Sequence, residues 1–299
     1  MIKILITGGN GFFGRSLYEA LSNSYFHPLK PTVVSITRED LDLLDASKVY
    51  NYIKGNKFDI VIHTANHDAV PTFTDKKRDD VLDRNLRMFF NIASCSAYFG
   101  KMLYFGSGAE AGRDKWFLGM GEDYIESCIP SDPYGYSKHI MNKYANLSDN
   151  IYNLRVFGVF GKFDDWRYRV IPNACAKAAL DMPITIKNNA LFDYLYMDDL
   201  VKIVDWFITN TPEHHSYNIC TGGIRTYESL AGEVVKAFKK KLPIHLEDEN
   251  VVVKYGGDNS RFIRECGGFD FTPIDKAISE LCAWYEKNKS IIVKEDFLY

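Results

Sequence analysis

A short apolar run, Ile2 to Ile6, meets Thr7-Gly8-Gly9-Asn10-Gly11-Phe12-Phe13-Gly14, and Phe12 to Leu21 then carries apolar residues at helical spacing. Strand, glycine turn and helix in that order narrow the folds open to the chain. One glycine permits the tight turn, one lets backbone approach a pyrophosphate, and one lets the helix pack on the sheet. Unpaired N–H groups at the helix N-terminus would face the phosphates. The turn therefore predicts dinucleotide binding through Gly8, Asn10, Gly11, Phe12, Phe13 and Gly14.

The alternation continues through the first half. Strands are predicted at 32–36, 60–63, 102–105 and 152–156, with helices at 46–53, 81–96 and 134–145. Strands alternating with helices call for a parallel sheet covered on both faces, doubly wound in the Rossmann manner. The second half is less regular. Helices are predicted at 170–180, 200–207, 227–238 and 274–287, with glycine pairs between short strand-like pieces. The fold class is α/β, with a dinucleotide-binding domain over 1–160 and a smaller α/β substrate domain over 161–299. Residues 190–210 are expected to return to the first domain, and a ligand belongs in the crevice.

Among 299 residues, 46% are hydrophobic and 25% charged, and the net charge is −3. Such a balance supplies no basic field for nucleic acid or anionic membrane. No apolar run reaches the roughly 18 residues that span a bilayer. The N-terminus meets glycines too early for a signal-peptide core, so a cytoplasmic location is expected. Six cysteines, at 95, 128, 175, 220, 266 and 282, form no C-x-x-C. They read as reduced thiols, and His214-His215 has no third ligand nearby in sequence, so no metal is expected.

At the end of the second strand the chain reads Ser35-Ile36-Thr37-Arg38-Glu39-Asp40. An acid there would accept from both ribose hydroxyls of NAD(H), and an arginine would bind the 2′-phosphate of NADP(H). Arg38, with Thr37 able to donate beside it, favours NADP(H); Glu39 and Asp40 keep NAD(H) open. Tyr134-Gly135-Tyr136-Ser137-Lys138 follows Pro133 and begins a helix, so Tyr134 and Lys138 share one face. An ammonium there should lower the tyrosine pKa and make it a general acid or base. Ser107, at the end of the fourth strand, completes a catalytic triad and is expected to bond a substrate oxygen.

Thr7-Gly8-x-x-Gly11-x-x-Gly14, Asp59-Ile-Val-Ile-His63-Thr-Ala65, Asn85, Ser107, Tyr134-x-x-x-Lys138, Leu154-Arg155-Val156-Phe157 and Asp193-Tyr-Leu-Tyr-Met-Asp-Asp199 occur in this order. On these motifs nearly the whole chain resembles the extended short-chain dehydrogenases/reductases, in the nucleotide-sugar epimerase/dehydratase/reductase branch. The resemblance implies a first domain that binds NAD(P), a C-terminal domain that holds a nucleotide-diphosphate sugar, and a homodimer through helices 81–97 and 134–147. The run Thr37 to Asp45 is similar to that of GDP-fucose synthase-like 4-keto sugar reductases. That likeness implies Leu44 and Asp45 near the adenine, and Thr64, Ala65 and Asn85 around the cofactor.

Departures from that pattern carry as much weight. Ala109 stands where those enzymes have an epimerising cysteine, and Arg169 where their histidine is expected. Gly158 replaces an asparagine, and Asn10 a basic residue. Ser107 is followed by Gly108-Ala109-Glu110 rather than the dehydratases' Thr-Asp-Glu. Glu110 reads as a solvated loop acid and Arg155 as a structural strand-end residue. Gly108, Ala109 and Arg169 fall on the substrate side, Arg225 and Arg261 could clamp a diphosphate, and Phe160, Trp166, Tyr168 and Asn173 are pocket candidates. The expectation is an NADPH-dependent C4-keto reductase of a nucleotide-activated 4-keto-6-deoxy sugar, in polysaccharide or deoxysugar biosynthesis. The alternatives are an NAD-retaining 4-epimerase and, of another class, a non-catalytic NADP-binding redox sensor.

Overall fold

A computed structural model describes residues 2–23, 30–68 and 79–297. The chain begins β1 (Lys3–Thr7), α1 (Phe12–Ser22), β2 (Thr32–Ile36), α2 (Ala46–Asn56), β3 (Ile60–His63) and α3 (Asp80–Ala93). It continues β4 (Lys101–Ser107), β5 (Leu118–Met120), α4 (Glu122–Ser127), α5 (Pro133–Ala145), β6 (Ile151–Val156) and β7 (Gly158–Phe160). Next come α6 (Val170–Ala179), β8 (Ile184–Ile186), β9 (Asn189–Tyr196), α7 (Met197–Thr209), β10 (Ser216–Ile219) and β11 (Ile224–Thr226). The last elements are α8 (Tyr227–Phe238), β12 (Ile244–Leu246), β13 (Val251–Gly257), α9 (Ser260–Cys266) and α10 (Ile274–Lys287).

The six-stranded sheet runs β10-β6-β4-β3-β1-β2, and every pairing is parallel. Its central strands are buried on both faces, as near-continuous apolar runs require. One face packs α1, α7 and α9 through Leu17, Leu200, Phe207 and Phe262. The other packs α2, α3 and α5 through Ile53, Phe89 and Met141. Strand order reverses between β1 and β3, which opens a crevice at the carboxyl ends of the strands. The α/β class and the doubly wound parallel sheet expected from the sequence are both present.

A second sheet runs β11-β9-β13-β5, with β7 paired to β9, while α6, α8 and α10 enclose a third core. The chain passes between the two sheets several times. Within 190–210, α7 lies on the large sheet, whereas β9 belongs to the second. β5 and β7 come from the first half and pair in the second sheet. β10, which has no distinct signal in the sequence, closes the edge of the large sheet beside β6. The predicted third helix stops at Ala93, and a short 3₁₀ turn at Ser96–Tyr98 follows.

Glu110 is not the solvated loop acid expected. It is 1% exposed and accepts from Arg155 Nε at 2.8 Å, and Arg155 is 0% exposed. Arg155 Nη1 also donates to Asn218 Oδ1 at 3.0 Å, and Nη2 lies 3.7 Å from Glu126. Glu110 further accepts from the Ser107 N–H at 3.0 Å and caps the 3₁₀ turn Gly108–Ala111. The guanidinium drew the acid inward, so Arg155 does serve a structural role. Arg155→Leu would leave Glu110 buried without a counter-charge and should cost about 3–5 kcal/mol. A lower urea midpoint with an unchanged slope is the expected reading; an unchanged midpoint would contradict it.

Candidate active site

A cleft of about 790 Å³ lies over the carboxyl ends of the large sheet. Gly8, Asn10, Gly11, Phe12 and Phe13 line one wall. Gly8 sits at φ +71, and a Cβ there would come within 2.7 Å of the Ala65 nitrogen. A Cβ on Gly14 would run into the Gly8 carbonyl oxygen, so that glycine lets α1 approach the turn. Gly11 is the N-cap of α1, with no side-chain cap and no acid in the first turn. The N–H groups at this helix start are thus open to an anion, and the cradle fits a dinucleotide pyrophosphate.

Behind the turn, Thr7 Oγ1 meets His63 Nδ1 at 2.8 Å and Thr64 Oγ1 donates to the Thr7 carbonyl at 2.6 Å. Burial depresses His63 to about 3, with the Lys138 charge adding, so its imidazole is neutral. Thr64 and Ala65 line the cleft. Asn85 lies behind them, accepting from the His67 N–H at 2.7 Å and donating to the His67 carbonyl at 3.1 Å. It therefore fixes the segment after β3.

Arg38 lines the opposite end and is 76% exposed, with Nη2 3.9 Å from Asp42. Thr37 lines it too, but its N–H and hydroxyl both donate to Asp40 Oδ2, at 2.8 and 2.9 Å. Asp40 is thereby turned onto the Thr37 backbone. Leu44 faces the cleft, whereas Asp45 is the N-cap of α2 and accepts from the Lys48 N–H at 3.0 Å.

At the inner end, Asp132 caps α5 by accepting from the Gly135 N–H at 2.9 Å, and Pro133 occupies its first turn. That start places Tyr134 and Lys138 on the cleft wall. Lys138 Nζ donates to the Phe105 carbonyl at 2.9 Å and lies 5.7 Å from the centre of the Tyr134 ring. The expected lowering of the tyrosine pKa is not found. Burial pushes Tyr134 up to about 12, the charges of Asp68 and Glu110 add to this, and the Ser107 hydrogen bond and Arg169 only partly offset it. Lys138 is itself pulled down to about 8 by burial.

Ser107 is not on the cleft wall. Its hydroxyl accepts from the Ala109 N–H at 3.1 Å. Gly108 and Ala109 are buried in the turn that follows. Arg169, the N-cap residue of α6, lines the cleft with its Nε 3.9 Å from Asp164. Asp164 was not anticipated. It is a cleft acid that burial raises to about 6, in a loop with no periodicity to mark it.

Neither proposed diphosphate clamp reaches this cleft. Arg225 borders a separate cavity of about 150 Å³ beside Tyr194 and Thr272. Arg261 is taken up by the Ser216 carbonyl and Asp123, each at 3.0 Å, and by Glu122 at 3.9 Å, so it braces α9 against β10 and α4. Of the four pocket candidates, Tyr168 lines the cleft, Phe160 is core, and Asn173 donates to the carbonyls of Trp166 and Arg167. His214 does gain neighbours: Glu213 and Glu265 place ligand atoms within 4.8 Å of it and of one another. Both Glu265 oxygens already accept, from the Glu213 N–H and from Tyr217.

A doubly wound sheet with a glycine turn and a tyrosine–lysine pair on one cleft defines a dinucleotide-dependent class of enzymes. Residues 4–220 match the NAD dependent epimerase/dehydratase family, and the chain belongs to it. It is 26% identical over 308 aligned residues to a GDP-6-deoxy-D-talose 4-dehydrogenase of Aggregatibacter actinomycetemcomitans, covering 94% of this chain and 97% of that one. A GDP-L-fucose synthetase from Naegleria fowleri superposes with TM-score 0.84 at 21% identity, over 98% and 95% of the two chains. A GDP-mannoheptose C4 reductase from Campylobacter jejuni with NADP bound gives 0.80 at 20% identity, over 95% and 98%. Among the described residues, no helix is long and apolar enough to cross a membrane.

Gly14→Ala should push α1 away from the turn and raise the dissociation constant for NADPH by about tenfold or more, a loss of roughly 1.4 kcal/mol. Fluorescence titration measures it, and wild-type affinity would remove Gly14 from this role.

Proposed function

We propose that the protein is an NADPH-dependent C4-keto reductase of a nucleotide-activated 4-keto-6-deoxy sugar. The observation that carries this reading is Tyr134, a phenol kept protonated at the inner end of the cleft with the Lys138 ammonium beside it. An enzyme that begins by reducing a ketone needs a proton donor, whereas one that begins by oxidising an alcohol needs a base. The GDP-linked names among the relatives support a GDP sugar.

When bound, the reduced nicotinamide supplies hydride. Tyr134 gives its proton to the oxygen of the former carbonyl. Lys138 stabilises the phenolate left behind. Arg38, at the cleft mouth with no close bidentate partner among the described residues, suits a 2′-phosphate. Ala109 offers only a methyl group, and although burial opposes it, the carboxylates of Asp164 and Asp68 help to keep the Arg169 guanidinium charged. Neither can exchange a proton beside the ketone, which argues against epimerisation at C3 and C5. Tightly bound NAD in the purified protein would instead support the 4-epimerase.

In this reading residues 1–160 hold the dinucleotide and 161–299 the sugar, in a cytoplasmic homodimer. Leu147, 88% exposed, with Tyr144 and Tyr136 on the outer side of α5, offers an apolar face for pairing. Light scattering at twice the chain mass tests it.

Tyr134→Phe should leave NADPH binding intact and lower turnover by about 10²–10⁴-fold, followed at 340 nm with GDP-4-keto-6-deoxy sugars. In the wild type, Lys138 carries its charge below its folded value of about 8. Turnover should therefore fall as pH rises through that value. Retained activity in the variant would dismiss Tyr134 as the donor.

A further inference from the structure

We infer that Asp164 recognises the sugar itself, its uncommitted carboxylate oxygen accepting hydrogen bonds from the vicinal hydroxyls at C2 and C3. This deepens the reductase reading and rests on it. A nucleotide-linked 4-keto-6-deoxy hexose offers few groups to hold. C1 carries the diphosphate, C4 the carbonyl, C5 the ring oxygen and C6 only a methyl group. The hydroxyls on C2 and C3 remain. Both can donate, and a carboxylate with an oxygen to spare is the matching acceptor.

Among the described residues, the acids on the cleft wall are Asp42, Asp68, Asp164 and Asp165. Asp42 lies by Arg38, Asp165 has both oxygens bound by Arg167, and Asp68 follows β3 in the dinucleotide half. Asp164 differs from these. Its side chain is 9% exposed, and Oδ1 accepts from the Asp165 N–H at 2.9 Å and stands 3.9 Å from Arg169 Nε. Among the described residues nothing bonds Oδ2. Burial raises the carboxyl only to about 6, so at neutral pH it is ionised and accepts without donating. The backbone that presents it is strained. The Asp164 N–H closes a turn on the Gly161 carbonyl at 3.3 Å, and Phe163, third in that turn, has φ +76. Glycine or asparagine ordinarily takes such a place. Phe163 is held there by the Arg15 guanidinium, 4.0 Å from its ring centre, and by an edge contact with Trp284 at 6.0 Å. Lys162 pairs with Glu19 at 2.6 Å and ties the same turn to α1. Strain held in place from two helices is a mark of a ligand clamp, and the residue it sets on the cleft wall is Asp164.

The test is Asp164→Asn, which keeps an oxygen for the Asp165 N–H and puts an amide NH2 in place of the uncommitted one. Calorimetric titration uses the NADPH-loaded protein and a GDP-6-deoxy-hexose that already carries the C4 hydroxyl, so no hydride can move. Its dissociation constant should rise about 10- to 100-fold, as for hydrogen bonds to a charged group. GDP alone and NADPH should bind within about twofold of wild type. With the ketosugar, KM should rise while kcat stays within about threefold. A GDP-3,6-dideoxy-hexose, lacking the C3 hydroxyl, should lose less from the substitution than the 6-deoxy sugar does. An equal loss with GDP alone, or with the dideoxy sugar, would overturn the inference. Turnover by the wild type with unchanged sugar affinity in the variant would reject Asp164 alone. Asp164-dependent affinity without turnover would reject the reductase reading alone, and no binding of any GDP-, CDP- or dTDP-linked 6-deoxy sugar would reject both.

Discussion

Arg155 and Glu110 form a charge pair from which water is excluded, and much of the active end of the molecule is arranged around it. A buried pair is costly to desolvate, so it persists only where further hydrogen bonds complete both groups. Here those bonds come from three strands, β10, β6 and β4. Asn218 of β10 accepts from Arg155, and its own N–H donates to Glu122 of α4 at 2.9 Å. Asn153 of β6 donates to Glu110 and, at 2.9 Å, to Asn142 of α5. Glu110 in turn accepts from the backbone of Ser107. The Gly108–Ala111 turn is thus set by a charge beneath it, and that charge also reaches the cleft: it adds to the rise of Tyr134 and opposes the lowering of Lys138.

The two walls of the cleft are made from different materials. On the dinucleotide side, backbone does the work, through the glycine turn and a helix start with no side chain over it. On the opposite side the surface is built from charged side chains, with Asp164, Asp165, Arg167 and Arg169 in one loop. Arg167 already forms a two-point pair with Asp165, and Arg169 lies by Asp164. A rigid backbone cradle suits an invariant phosphate, while a paired set of charges suits a ligand whose arrival rearranges partners.

What could be read in the sequence was what lies in a short continuous stretch. The glycine turn, Arg38 after β2 and the Tyr134–Lys138 spacing each fit within a turn or two of chain, and the structure brings all of them to one cleft. Groups whose meaning depends on distant partners could not be read. Glu110 looks like a loop acid until Arg155, 45 residues later, is beside it. Arg261 looks like a ligand clamp until Asp123 is. β10 was hidden because buried Ser216 and Asn218 break the apolar signature of an internal strand. The tyrosine pKa went the wrong way for a related reason. The spacing of Tyr134 and Lys138 displays the helpful charge but not the burial, nor the acids contributed from elsewhere.

The place of β10 at the edge of the large sheet sets the order in which a ribosome can complete this protein. β6 ends at Val156 and its outer neighbour begins at Ser216. At about 5–20 residues per second, the 60 or so intervening residues take roughly 3–12 s to make. For that interval β6 is an open edge, and Arg155 lacks the Asn218 partner it has in the finished fold. An unpaired edge strand is a template for pairing with another chain. The emerging polypeptide therefore carries an uncovered strand edge after its dinucleotide motifs have been made and before their sheet can close.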